Sequence, residues 1–167
     1  MKIKNQITLI KIGYLAVLCI AILLGLKDAY QGFTDGWNSA NQNISEETSM
    51  YFIQFVLIMT IAFFGLRFFV YLYRFLNQLE QGNVFSEENI RRLFLMGWYC
   101  ISMPFLLYSY NVMANMGENP ISVEYLGRIA ESVVFEFWLL IFGITLLTIA
   151  FVFKKGIELK QENDLTI

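Results

Sequence analysis

Residues 50–73 read MYFIQFVLIMTIAFFGLRFFVYLY, an apolar run broken by one charged residue, Arg67. A helix needs about 20 mainly apolar residues to cross the hydrocarbon layer of a bilayer, and this run reaches that length. Leu, Ile, Phe and Val follow one another without the two-residue alternation of a barrel strand, so the segment reads as a helix. Three further stretches share its character: 7–26, 93–113 and 132–153. The expected fold is all-α: an integral membrane bundle of four transmembrane helices in a single domain over 1–167. The polar stretches 27–49, 74–92 and 114–131, and the tail 154–167, are each too short to build a core of their own.

The whole composition agrees. The chain is 57% hydrophobic and 16% charged, with a mean hydropathy of +0.53. A soluble domain runs at roughly 45–50% and 25%. There is no His, which removes Ser-His, Cys-His and His-ligated metal chemistry. No nucleophile–base pair, Gly-rich phosphate loop or carboxylate pair stands out, so neither enzymatic activity nor a cofactor is expected. A net charge of −2 offers no general attraction for nucleic acid. Cys19 and Cys100 both fall within spans, where they act as small hydrophobes rather than as a disulfide or metal pair.

Basic residues set the expected direction of insertion. Lys2, Lys4, Lys11, Arg74, Arg91, Arg92, Lys154, Lys155 and Lys160 fall on one side, against Lys27 and Arg128 on the other. The positive-inside rule places both termini and the 74–92 loop in the cytoplasm. After the first span, Lys27-Asp28-Ala29-Tyr30 lacks a small-x-small cleavage site, so a retained anchor is expected rather than a removed signal peptide.

The 74–92 loop carries the densest local signals. Residues 74–80 extend the second span, and Gly82-Asn83 suits a left-handed C-terminal cap. Ser86 is an N-cap residue, and Glu87 and Glu88 in the first turn complement the helix dipole. Phe85 and Ile90 match a hydrophobic staple across that cap. A tight helical hairpin follows, and a well-capped turn is enough to explain every one of these residues. A docking surface is the sharper alternative. The tail offers a second candidate surface, because Leu165 and Ile167 are apolar residues placed after Glu162, Asn163 and Asp164.

Polar residues inside spans are the remaining candidates. Arg67 lies towards the inner end of the second span and Glu136 near the outer end of the fourth, differing in depth by roughly 20 Å, too far for an ion pair. Arg67 is expected to snorkel to the headgroups, and Glu136 to face the outer interface. Pro104 kinks the third span, with Ser102, Tyr108, Ser109, Tyr110 and Asn111 around it. Interhelical hydrogen bonds and a small polar cavity are both open for that group. In the 27–49 loop, Tyr30, Phe33 and Trp37 share one face if the segment is helical, while Asp35-Gly36 equally suits a turn. Aromatic anchoring or a lid over the bundle would follow.

The stretch 77–89, Asn77-Gln78-Leu79-Glu80-Gln81-Gly82-Asn83-Val84-Phe85-Ser86-Glu87-Glu88-Asn89, resembles the signature of the DUF2975 family of small bacterial membrane proteins. The ending Glu158-Leu159-Lys160-Gln161-Glu162-Asn163-Asp164-Leu165-Thr166-Ile167 is similar to that family's C-terminus. Gly32-Phe33 with Asp35-Gly36-Trp37-Asn38 resembles its versions from Bacteroidetes-type bacteria. The family carries no settled biochemical activity. The resemblance implies a bacterial inner-membrane protein encoded beside a small cytoplasmic helix-turn-helix regulator of the XRE type. On that basis the expected role is regulatory or sensory: Gly82, Phe85, Ser86, Glu87 and Asn89, with Glu162, Asn163, Asp164, Leu165 and Ile167, would hold or release the regulator. The rival is a transporter or channel subunit for a small molecule or lipid, using Glu136, Tyr108 and Asn111 around Pro104, with Arg67. The partners expected are the lipid bilayer and that regulator, with further copies of the chain in a homo-oligomer left open.

Overall fold

The computed structural model describes residues 2–40, 48–82, 85–115, 127–128 and 132–164. Within them lie four long helices: α1 (Lys2–Ala40), α2 (Thr48–Glu80), α3 (Glu87–Asn115) and α4 (Phe137–Asp164). All four are long and apolar enough to cross a membrane. Each runs on beyond the apolar stretch that marks it in the sequence, α4 at its C-terminal end only. The 33 residues of α2, for example, make a rod of about 50 Å at 1.5 Å per residue, well beyond the roughly 30 Å of a bilayer core. Side chains such as Leu24, Leu66, Ile141 and Phe52 are two-thirds exposed along these rods. Exposure on that scale is costly in water and free among lipid tails.

The chain divides into two compact units, Met1–Tyr51 and Phe52–Ile167. The first is built on α1, which stays helical through Asp35-Gly36 to Ala40, so no turn forms there. In the second unit, α2 and α3 run antiparallel from their hairpin. Tyr71 stacks on Tyr99 with ring centroids 6.1 Å apart, Phe64 meets the same Tyr99 at 5.0 Å, and Gln54 Nε2 donates to the Met113 carbonyl at 3.1 Å. Those contacts climb α2 as they descend α3, holding one register along most of both helices.

The core lies between α3 and α4. Leu93, Met96 and Cys100 of α3 pack with Leu146 and Ala150 of α4, and Phe68, Tyr71, Leu72 and Phe75 of α2 close over them. The two backbones meet where neither has a side chain. A Cβ built on Gly143 would lie 2.9 Å from the carbonyl oxygen of Gly97 and 2.7 Å from Ile101 Cγ1. One on Gly97 would lie 2.7 Å from Leu147 Cδ2 and 3.1 Å from the Gly143 carbonyl oxygen. Small residues at a crossing let helices approach to backbone contact, which is a main source of attraction between helices in lipid. Pro104 is buried in the same face, and α3 continues past it without a break.

The start of the fourth span needs correction. The sequence puts it at Ser132, but Val134–Glu136 are not helical and α4 begins at Phe137. Aromatic packing explains the break: the Phe135 ring sits 5.4 Å from Phe105 and 5.8 Å from Tyr108 of α3, and 4.8 Å from Phe137. Glu136 therefore precedes the helix instead of lying within it.

The glycine crossing predicts a ranking of substitutions. Gly143→Ala drives its methyl into a backbone oxygen and should lower stability by about 1–3 kcal/mol. Gly97→Ala meets mainly the end of the Leu147 side chain and should cost less, while Gly13→Ala in α1 meets nothing within 4 Å and should cost nothing. Thermal unfolding of the three purified variants in detergent checks the order.

Candidate functional site

The hairpin end of the second unit gathers most of the motif residues. Gly82 closes α2 with a positive φ of 83°, and its N–H donates to the Leu79 carbonyl at 3.1 Å. This is the glycine-terminated cap that Gly82 suggests in the sequence. Ser86 opens α3: its Oγ accepts the Asn89 N–H at 3.2 Å, and its carbonyl accepts the Ile90 N–H at 3.1 Å. Both ends of the turn are thus satisfied by local chemistry.

Sequence reasoning missed what lies beneath that turn. Asn89 and Arg92 are buried, and Arg92 Nη1 donates to Asn89 Oδ1 at 3.1 Å and to the Arg74 carbonyl of α2 at 3.5 Å. Nη2 of the same guanidinium pairs with the Glu88 carboxylate. One side chain therefore ties the last part of α2 to the first turns of α3. Arg92 counted in the sequence only as a basic residue that orients the chain. Asn89, a docking candidate there, is fully enclosed and serves the hairpin's own framework. A signal did exist: Glu88 and Arg92 stand four apart on a helix, with Asn89 between them on the same side.

Phe85 reaches further than a staple would. Its ring lies 5.1 Å from that of Phe153 on α4, beside Gly156, and it remains 62% exposed. The hairpin end and the C-terminal part of α4 are thereby joined into one platform. That part of α4 carries Lys155, whose Nζ donates to Glu158 Oε2 at 2.6 Å. The hydrogen bond between them is the main reason that the Lys155 amine is held above its ordinary 10.5 and the Glu158 carboxyl below its ordinary 4.5. Leu159 stands 64% exposed on the same stretch, and Glu162 and Asn163 are exposed beyond it. Asp164 ends the helix, while Leu165 and Ile167 lie outside the described residues. Between α3 and α4 runs a groove of about 430 Å³ floored by Ile90, Phe94, Leu95 and Ile157.

The polar residues of the spans are dispersed. The Arg67 guanidinium sits 5.2 Å from the Phe63 ring and 5.9 Å from the Tyr71 ring, and donates to Tyr71 Oη at 3.4 Å. Its partners are aromatic neighbours one turn away on its own helix. The Glu136 carboxylate takes the indole N–H of Trp138. Tyr108 packs on Phe135, and Asn111 is exposed, its carbonyl accepting from Asn115 Nδ2 at 2.7 Å. Ser102 and Ser109 donate back to the Trp98 and Phe105 carbonyls, at 2.9 and 2.8 Å, so their hydroxyls are used within α3. A second cavity of about 300 Å³ lies at the depth of Gly65 and Cys100, walled by aromatic and aliphatic side chains such as Phe68, Tyr99, Trp138 and Phe142. Among the described residues no group of three His, Cys, Asp or Glu is placed to hold a metal.

Together these features define an all-helical protein with four helices suited to a membrane and a capped hairpin beside the extended end of α4. Over residues 6–167 the chain matches the model of DUF2975, a protein family of unknown function, and it belongs to that family. No curated protein matches the chain, and neither does any solved structure.

Two substitutions separate cap from knot. Ser86→Ala should cost about 1 kcal/mol by removing the acceptor for the Asn89 N–H. Arg92→Met leaves the buried Asn89 amide without that partner and frees the Arg74 carbonyl, which should cost about 1–3 kcal/mol. Hydrogen exchange over residues 85–92 should speed up in both, and more in Arg92→Met. Unchanged exchange in that variant would refute the knot.

Proposed function

We propose that this chain is a multi-pass protein of the bacterial inner membrane that holds a cytoplasmic XRE-type helix-turn-helix regulator and releases it when the membrane-embedded helices change state. Both termini and the hairpin lie in the cytoplasm in this reading, as nine basic residues against two require. The observation that carries it is the Phe85–Phe153 contact. It sets the hairpin motif against α4 five residues ahead of the second motif, and Phe85 and Leu159 are left exposed there. Exposed apolar side chains on an ordered, charged surface suit a protein partner.

The transport reading has less support. It asks for polar side chains from several helices converging in the spans, whereas Arg67, Glu136 and the serines of α3 have partners on or beside their own helices. The cavity at that depth is walled by carbon.

Topology is tested first. Fusions at Ile167 and within 74–92 should be active only with cytoplasmic reporters, and a cysteine at Asn41 should label from outside intact cells. Labelling at Asn83 without labelling at Asn41 would reverse the orientation. Docking is tested by co-purifying the regulator encoded next to the gene. Deletion of residues 163–167, or Phe85→Ala with Leu159→Ala, should weaken recovery at least several-fold, since one buried aliphatic or aromatic anchor contributes about 1.5–3 kcal/mol. Equal recovery from all three proteins at matched membrane expression would sink the docking role.

A further inference from the structure

The groove between α3 and α4 is graded along its length. Its inner end is floored by Phe94 and Leu95, directly below the first charged residues of both helices. Next come two cations, Arg91 on α3 and Lys154 on α4, which face the groove from opposite walls. Outermost are two carboxylates, Glu87 and Glu158, with the Gln161 amide beyond them. Glu87 is four residues from Arg91, and Glu158 four from Lys154, so each wall steps from positive to negative over about 6 Å. The antiparallel pairing of the helices makes both walls change sign in the same outward direction.

The other two cations of α3 and α4 at this level are already committed. Arg92 is held by Glu88, Asn89 and the Arg74 carbonyl, and Lys155 by Glu158. Arg91 and Lys154 are exposed and neither forms a salt bridge among the described residues, although the Lys154 charge acts on Glu158 from one turn away. Glu158 is shared with Lys155, which leaves Glu87 as the less encumbered carboxylate.

We propose that this groove binds one phospholipid with an ethanolamine headgroup. The order apolar, cationic, anionic is complementary to the order acyl chain, phosphate, ammonium. Two carbons separate phosphate from amine in that headgroup, which matches a single helical step from Arg91 to Glu87. The primary ammonium has N–H groups to donate to Glu87 and Gln161, which the quaternary ammonium of choline lacks. A glycerol headgroup would satisfy the cations and leave the carboxylates facing a neutral group. The proposal rests on the bilayer part of the reading above, with the Arg91–Lys154 level at the water boundary. It does not depend on regulator binding.

The test is lipid retention by the purified full-length protein, read by native mass spectrometry. Phosphatidylethanolamine, phosphatidylcholine and phosphatidylglycerol of identical acyl chains are compared. Phosphatidylethanolamine should be retained several-fold over each of the others. Arg91→Gln with Lys154→Gln should weaken retention of phosphatidylethanolamine and phosphatidylcholine alike, by about tenfold or more. Arg91→Lys with Lys154→Arg should restore it, which separates lost charge from lost folding. Glu87→Gln should bring phosphatidylethanolamine down to the level of phosphatidylcholine and leave phosphatidylcholine unchanged. Soluble phosphoethanolamine should not displace the lipid, because it has no acyl chain for the floor. Equal retention of the ethanolamine and choline lipids, strongest retention of phosphatidylglycerol, a preference that survives Glu87→Gln, or displacement by phosphoethanolamine would each overturn the site. Regulator recovery without any lipid preference would overturn this site alone and leave the docking reading standing.

Discussion

The second unit depends on a place where two helices meet without side chains. At Gly97 and Gly143 the backbones of α3 and α4 are so close that a methyl on either would enter the space of its neighbour. For helices among lipid tails the hydrophobic drive that acts in water is lost, and close packing of this kind has to supply the attraction. The crossing also fixes register. With Gly97 set against Gly143 and Leu147, antiparallel helices bring Leu93 beside Ala150, and the start of α3 beside residues just past Phe153. The Phe85–Phe153 contact and the groove floored by Ile90 and Ile157 follow from that one alignment.

A guanidinium fixes the other end of the hairpin. Burying Arg92 would be costly if it were alone, since a charge removed from water needs strong partners. Here it gains a carboxylate, an amide oxygen and a backbone carbonyl, and Glu88 remains well exposed, so its hydration is largely kept. The fork of the guanidinium suits this task, because it reaches acceptors on two helices at once. A lysine would offer a single point charge in place of that bridge. The hairpin is therefore held by packing on its α4 side and by directed polar bonds on its α2 side.

The parts of this fold that were legible in the sequence are those set by local chemistry or by length. Four apolar runs announce four helices, and Gly82 and Ser86 announce the two caps because the backbone geometry at helix ends depends on few residues. What was hidden depends on which helix lies beside which. Gly97 and Gly143 are ordinary glycines in apolar helices until their mutual distance is known. Asn89 and Arg92 sit in a polar stretch and look like surface residues, yet both are buried, with Arg92 bonded to α2. Phe85 fits a staple by spacing, but α4 provides a larger aromatic surface for it. Hydropathy alone puts Glu136 inside a span, because it does not register the break at Val134–Glu136, where Phe135 packs on Phe105 and Tyr108.

The same distinction separates the two kinds of charge at the hairpin end. Charges used inside the fold, Arg92 with Glu88 and Lys155 with Glu158, come as pairs three or four residues apart on one helix. Arg91 with Glu87 and Lys154 with Glu158 also stand four apart, but they line a space between helices, so the way the two walls face each other is a product of the α3–α4 register. A substitution at Gly97 or Gly143 that pushed the helices apart would widen that space and move one wall of charges relative to the other, although no groove residue had been changed. In the proposed lipid site, fixed spacing across the groove is what would allow charges on two separate helices to read the order of groups along a single ligand. Packing at the crossing and the spacing of the groove charges are therefore coupled, and in the proposed reading that coupling gives the helices a physical route by which to alter what the platform binds.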